Sequence, residues 1–330
     1  GIVLGLEGPP GNGKTTLIKH GMAKCLVDQQ GNPRPVGFIP LGGSSNGSSL
    51  SGHGYTYQGS TWGRIVDILM DCECMNPILL FDELDKVSLS ESGREVTGIL
   101  THLTDSTQND EYYDKYFEGV PLDLSKAIMI FTFNDRSKVD PILLDRMTII
   151  ETQPLSIEDK KVVTHKHLIP QITDLVDLQP EEITISDEEI ELLINDYTHE
   201  AGARQLKKLL ESLIQELNLQ RLLNPDTEML IDRFLINDVF SYKDKVRRQS
   251  ISEEPLIGQI NGMYANALGL GGILPIQVSK SVSDQKLELT GTQGDVMKES
   301  MKCAKTMAFK LMSKDNPMFE PNELKEGLHI

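Results

Sequence analysis

Three short stretches place residues that handle phosphate, metal and water at spacings chemistry can use. The first is GPPGNGKT, running Gly8, Pro9, Pro10, Gly11, Asn12, Gly13, Lys14, Thr15, with Thr16 next. It fulfils G-x-x-x-x-G-K-[ST] in full. In that motif glycines let backbone N–H groups curl around nucleotide phosphates, the lysine neutralises the β- and γ-phosphates, and the last hydroxyl ligates Mg²⁺. The second is PILLFDE, residues 77–83, an apolar run ending in Asp82 and Glu83. Two carboxylates at a strand tip suit Asp82 to hold the Mg²⁺ shell and Glu83 to polarise an attacking water as general base. The third is IMIFTF, residues 128–133, closed by Asn134. Its amide could orient the water, although an Asn after a strand is by itself an ordinary turn residue. Together the three stretches describe a site for a nucleoside triphosphate and Mg²⁺.

Other chemically capable residues read less sharply. Arg146, in LLDR, is by itself an ordinary surface ion-pair residue. Arg204 falls in the first turn of a predicted helix, where a cation gains nothing from the helix dipole. It serves either an anionic partner or Glu200 one turn away. Cys72 and Cys74 form a lone C-x-C with no second pair, whereas zinc needs four ligands. His165 and His167, two apart on a helix, point to different faces. Lys298 and Ser300 are also two apart on a predicted helix, rotated ~200° from each other, so they make a poor nucleophile–base pair. His329 has no acidic partner in the sequence.

The elements around these residues follow from pattern. Ile2 to Leu6 reads as a buried strand feeding the glycine loop, with a helix after it, and in an open α/β sheet such strand tips face the ligand crevice. After Glu151 the alternation of strands and helices ceases. Ser156 with Asp159 has capping-box spacing ahead of a helix running towards Pro170. Ser186-x-x-Glu189 is a cleaner box, followed by Ile190, Leu193, Ile194 and Tyr197 on one helical face. Leu206, Leu209, Leu210, Leu213 and Leu217 make a second such face. Asn224-Pro225-Asp226 is a stop, and VRRQSISEEP, residues 246–255, is polar and linker-like. A glycine-punctuated strand region follows at 256–277. KLELTGTQGDVMKES, residues 286–300, reads as strand, turn and helix, and Leu328-His329-Ile330 as a strand.

Composition sets bounds. With 330 residues, 39% apolar and 25% charged, the chain is a soluble globular type of two or three domains. A net charge of −17 argues against generic nucleic-acid binding, which needs basic surface. Four cysteines give no disulfide framework and point to a reducing compartment. No apolar run reaches the ~18–20 residues that span a bilayer. The chain opens on a strand pattern without an initiating Met, so a longer parent is expected, with any targeting segment outside these residues. The expected location is the cytoplasm or an organelle matrix.

These spacings resemble the AAA+ ATPases, with Walker A at Gly8–Thr15, Walker B at Asp82–Glu83 and sensor 1 at Asn134. The resemblance implies that Arg146 is the arginine finger reaching a neighbouring subunit's γ-phosphate, in a hexameric ring. It implies that Arg204 is sensor 2, closing a lid on ATP. LGGSSNGSSLSGHGYTYQGSTWGRI (41–65), PILLFDELDKVS, VPLDLSKAIMIFTFND, PILLDRMTIIE and YTHEAGARQLKKLLE narrow the likeness to the Lon proteases across nearly all of residues 1–223. By the same likeness Tyr57, followed by Gln58, lies on the pore loop that grips unfolded polypeptide. An aromatic ring suits that role because its apolar face contacts any sequence. The chain departs from the family in the Ser/Gly-rich residues before Tyr57, in Gln58 where an aliphatic residue is usual, and in a long Cys25–Pro35 connection. Trp62, the only tryptophan, offers a second aromatic in that loop. Residues 256–277 and 286–308 resemble the opening of the Lon peptidase domain, although the family's usual tryptophan after Asn261-Gly262 is replaced, with Tyr264 nearby, and Gln277 stands where an acid is common.

The resulting expectation is an α/β architecture. An AAA+ P-loop parallel-sheet domain spans 1–153 and a small helical lid domain 154–240. A linker covers 241–256, and 257–330 is the first part of a truncated α+β Lon-type peptidase domain. The resemblance implies ATP-dependent unfolding and degradation of unfolded or misfolded proteins by a homo-oligomer, with the peptidase serine and lysine beyond Ile330. It implies no membrane partner. The alternative is a peptidase-dead AAA+ remodelling ATPase; a nucleic-acid motor is disfavoured by the charge.

Overall fold

The computed structural model describes residues 1–42, 47–56, 58–87, 91–246, 251, 254–265, 271–281, 287–291, 293–315 and 327–330. They form two compact units, 1–246 and 247–330. The first unit begins with β1 (Ile2–Glu7), β2 (Val36–Pro40), β3 (Ile78–Asp82), the short hairpin β4 (Tyr112–Tyr113) and β5 (Pro121–Leu122), then β6 (Ile128–Phe133) and β7 (Thr148–Glu151). The five longer strands make a sheet in the order β2-β3-β6-β1-β7, and every pairing is parallel. Each residue of β6, and Ile78 to Phe81 of β3, is buried. Helices on both faces leave no solvated side, which is why these strands read as unbroken apolar runs. Phe81 stacks on Phe131 across adjacent strands, ring centroids 4.7 Å apart.

The helices of this half are α1 (Lys14–Thr16) and α2 (Ala23–Cys25) joined by a π-helical stretch at Leu17–Met22, α3 (Ser48–Ser51), α4 (Arg64–Cys72), α5 (Glu91–Thr104) and α6 (Pro141–Asp145). Because the strands are parallel, the C-terminal tips of β1, β3 and β6 share one edge. The register sets Glu7 beside Phe133, so the glycine loop and Asn134 leave the sheet side by side.

A separate apolar core holds the helical half: α7 (Ile157–Val163), α8 (Ile169–Leu175), α9 (Asp187–Tyr197), α10 (Arg204–Leu223) and α11 (Arg233–Val239). Short β8 (Thr184–Ile185) pairs in parallel with β9 (Leu230–Ile231). The expected faces are buried, Ile190, Leu193, Ile194 and Tyr197 on α9 and Leu206, Leu209, Leu210, Leu213 and Leu217 on α10, joined by Ile214. Two expectations are corrected. The helix starting at Ser156 passes through Pro170 to Leu175, because α7 and α8 are joined by a π-helical turn, Thr164–Leu168. There the Ile169 N–H bonds to Thr164 C=O, five residues back, so the ladder is already widened where Pro170 lacks a donor. The caps also exchange quality. Ser156 and Asp159 form the full reciprocal box. Ser186 accepts from the Glu189 N–H at 3.4 Å, and its own hydroxyl rather than its backbone meets the Glu189 carboxylate.

In the second unit β10 (Gln259–Ala265) and β11 (Gly271–Gln277) form an antiparallel pair. β12 (Ser279–Ser281), β13 (Leu287–Glu288) and β14 (Gly327–His329) form a sheet with β14 in the middle, antiparallel to β12 and parallel to β13. Helix α12 is Asp295–Asp315. Among the described residues no helix is long and apolar enough to cross a membrane.

Candidate functional site

At the C-terminal edge of the sheet a cleft of about 670 Å³ lies between the glycine loop and the helical half, within the usual size range of ligand pockets. The loop is pinned from three sides. Gly8 N–H bonds to Phe133 C=O at 3.2 Å, the Asn12 amide donates to Gln153 C=O at 2.7 Å, and Ala203 N–H donates to Gly11 C=O at 3.1 Å. The last contact needs glycine: a Cβ on Gly202 would lie 2.3 Å from the Gly11 carbonyl, and Gly11 itself has φ +77°. Pro10, Gly11, Asn12, Gly13, Lys14, Thr15 and Thr16 all line the cleft, while Gly8 and Pro9 precede the turn and do not line it. Gly13, at φ 78°, opens α1, so the loop empties into a helix N-terminus whose free N–H groups favour anions.

Lys14 folds onto this loop. Its Nζ donates to Gly8 C=O at 2.7 Å, Pro9 C=O at 2.9 Å and Asn134 Oδ1 at 3.1 Å. Half-burial pushes its pKa below the ordinary lysine value, opposed by the charges of Asp82 and Asp85. The ammonium is thus held by neutral dipoles that phosphate oxygens could replace with full charges. Asp82 Oδ1 accepts the Thr132 hydroxyl and lies 3.5 Å from Thr15 Oγ1. A carboxylate and a hydroxyl at one point suit Mg²⁺, which takes hard oxygen ligands and completes its shell with water and phosphate. Among the described residues no group of three or more His, Cys, Asp or Glu could hold a metal ion by itself.

Glu83 follows in the left-handed region, φ 61°, a conformation that costs a non-glycine residue about 1 kcal/mol and recurs at functional sites. Its N–H bonds to Thr132 Oγ1 at 3.3 Å. Its carboxylate meets Lys86 Nζ at 2.8 Å, and its Oε2 lies so near Gly42 that a Cβ there would be 2.0 Å away. Asn134 is oriented by both ends of its amide, Oδ1 to Lys14 and Nδ2 to Asp85 Oδ2 at 3.5 Å. The loop beyond it is anchored where Arg136 donates to Glu7 at 2.7 Å and pairs with Glu151.

Arg204 lines the same cleft. It does not pair with Glu200, whose Oε1 instead accepts the N–H groups of Gln205 and Leu206 at 2.7 and 3.0 Å, capping α10. Arg146 lies away from the cleft, its guanidinium 3.1 Å from Asp105 and donating to Thr101 C=O. Gln58 is exposed in a turn, and position 57 is outside the described residues. Trp62 packs edge-on to Tyr116 and stacked on Phe117, at 5.7 and 6.1 Å. His165 pairs with Asp187 at 3.0 Å. Cleft residues not legible from the sequence are Thr132, His167, Gln171 and Lys207, with Asp85 just behind them, its Oδ1 buried without a partner. Asp85 carried one faint signal, a third acid in FDELD.

A parallel sheet that feeds a glycine loop, with an acidic neighbouring strand tip and a helical half closing the cleft, defines a P-loop ATPase module. Residues 4–155 match the family model for the ATPase family associated with various cellular activities (AAA). Residues 176–228 match the Lon protease AAA+ ATPase lid domain, and 231–330 the Lon protease (S16) C-terminal proteolytic domain. The chain is 31% identical to a Lon protease homolog of Acanthamoeba polyphaga mimivirus, over 100% of this chain and 38% of that protein. It is 35% identical to the Lon protease of Campylobacter jejuni over 93% of this chain and 37% of that protein, and 33% identical to that of Clostridioides difficile over 92% and 37%. The chain belongs to the Lon protease family. It spans a little over a third of the length of these relatives.

Proposed function

We propose that this chain hydrolyses ATP with Mg²⁺ and uses the turnover to pull unfolded protein into a peptidase, as the motor part of a Lon-type ATP-dependent serine endopeptidase. One observation carries the reading: Lys14, Thr15, Asp82, Glu83 and Asn134, from three strand ends, line one cleft with Arg204 of the helical half. Lys14 exchanges its neutral acceptors for β- and γ-phosphate oxygens, while the loop from Gly8 through Pro9 and Pro10 to Gly13 curls around the phosphates and the N–H groups of Gly11, Asn12, Gly13 and Thr16 face them. Thr15 and Asp82 hold Mg²⁺, and Thr132 fixes the Asp82 carboxylate. Bound Mg²⁺ supplies positive charge against the developing phosphoryl charge. Glu83, released from Lys86, takes the proton of the attacking water, and Asn134 orients that water. Arg204 moves with the lid onto the phosphates; among the described residues it has no ion-pair partner to give up.

Arg146 acts on a neighbour. It lies outside its own cleft, so we assign it to the γ-phosphate site of the next subunit in a hexameric homo-oligomer. Tyr57 and Gln58 are assigned to polypeptide contact, and the division into 1–153, 154–240, 241–256 and 257–330 to motor, lid, linker and peptidase portion. Lys298 and Ser300 are assigned no part in peptide cleavage. The test is Glu83→Gln: nucleotide affinity is retained and turnover falls about 10²–10⁴-fold, the contribution of a positioned general base. Near-normal turnover removes Glu83 from that role.

A further inference from the structure

The loop that carries position 57 is fastened at its neck by two carboxylates that the hydrolysis site does not use. Asp114 is fully buried. It accepts the Gly63 N–H at 2.8 Å on one oxygen and the Tyr116 N–H at 2.9 Å on the other. Gly52, at φ +74°, passes so close that a Cβ there would sit 2.7 Å from Asp114 Oδ1. His53 N–H bonds across the neck to Thr61 C=O at 3.0 Å, and Lys115 N–H reaches Ser51 C=O at 2.7 Å. Among the described residues no cation pairs with Asp114; backbone donors alone satisfy it. The second carboxylate, Glu95, stands on α5, the next long helix after Glu83. Its oxygens take Lys115 Nζ at 2.9 Å and Gly47 N–H at 3.3 Å.

We propose that Asp114 is the positioning residue of the polypeptide-gripping loop and that Glu95 links it to the helix following Glu83, so that the loop neck shifts as a unit with the nucleotide site. The carboxylate gives each segment an acceptor oxygen of its own, Oδ2 for Gly63 and Oδ1 for Tyr116; an amide in its place turns an NH₂ towards one of them. The carboxylate is buried, and the close approach of Gly52 leaves no room for a side chain beside it. Motion of α5 reaches Gly63 through the surface ion pair of Glu95 with Lys115, the backbone joining Lys115 to Asp114, and the buried Asp114 carboxylate. The inference rests on the ATPase reading above.

The chain contains a built-in reporter. Trp62, its single tryptophan, precedes Gly63 and packs on Tyr116, so its emission reads the neck directly. The measurement is Trp62 emission with and without saturating ATP and Mg²⁺ in Glu83→Gln protein, with binding followed separately by equilibrium dialysis of labelled ATP. The expected result is an emission shift on binding that Asp114→Asn and Glu95→Gln each abolish without loss of ATP affinity. Glu95 is exposed, so its variant tests the link even where Asp114→Asn does not fold. Binding with no change in emission overturns the proposal. So does a full response in folded variants, including variants whose only change is a lower melting temperature. Absence of ATP binding instead overturns the nucleotide reading.

Discussion

Lys14 and Lys298 carry the same ammonium group into two regions of one molecule with opposite results. Lys14 meets an Asn134 amide 120 positions away in sequence as well as two carbonyls of its own loop, and burial lowers its pKa. Lys298 is half-exposed and finds Asp295 one turn back on α12, at 3.5 Å. Ser300 bonds to Val296 C=O at 2.9 Å. Helix-local partners satisfy these side chains in water and leave nothing to spend on a substrate. Groups that converge from distant segments are desolvated together, so a ligand can replace weak dipoles with full charges. Convergence, more than residue type, separates a site from a surface.

The comparison can be broken at both ends. The largest effect is expected for Arg146→Ala, which should lower ATP turnover of the assembled protein about 10³-fold, as loss of an arginine supplied in trans does. Mixing these subunits with Lys14→Ala subunits should restore activity, because each supplies what the other lacks. Absence of rescue in verified mixed rings places Arg146 in its own subunit's chemistry.

Next in size, Lys14→Met should abolish the rise in melting temperature on adding ATP, a stabilisation of about 2.7 kcal/mol at a hundredfold excess over Kd. The ligand-free variant should be at least as stable as the parent. The sign follows from the lowered pKa. Between the depressed folded value and the ordinary lysine value the unfolded chain holds the extra proton, so parental stability relative to the variant rises with pH through that window and is lowest below it. A parent that is the more stable at neutral pH contradicts this account of Lys14. The smallest effect is expected for Ser300→Ala and Lys298→Met, each leaving ATP turnover and melting temperature unchanged, within about 0.5 kcal/mol. A measurable loss would show that α12 carries a partner or a chemistry its local bonds conceal.

Much of the frame was legible because it is written in short-range pattern. β1, β3 and β6 announce themselves as apolar runs, since a sheet covered on both faces tolerates no alternation. α9 and α10 follow from apolar residues at helical spacing over a core they share. The helix through Pro170 was not legible: proline normally ends a helix, and the widened turn that accommodates it has no sequence mark. Asp85 and Asp114 were missed for another reason. An acid in a loop looks the same whether it is solvated or sealed against two backbone N–H groups.

What the sequence by itself determined is the chemistry on offer: a phosphate loop with its lysine and hydroxyl, an acid pair ending an apolar strand, an amide ending another. Each is a local string, and local strings suffice because the loop, strand and helix that display them form from neighbouring residues. Tertiary structure alone decided that Arg204 turns to the cleft rather than to Glu200, and that Arg146 faces Asp105. The direction of a long charged side chain depends on which opposite charge or open space lies within its reach, and those neighbours come from segments that only folding brings together.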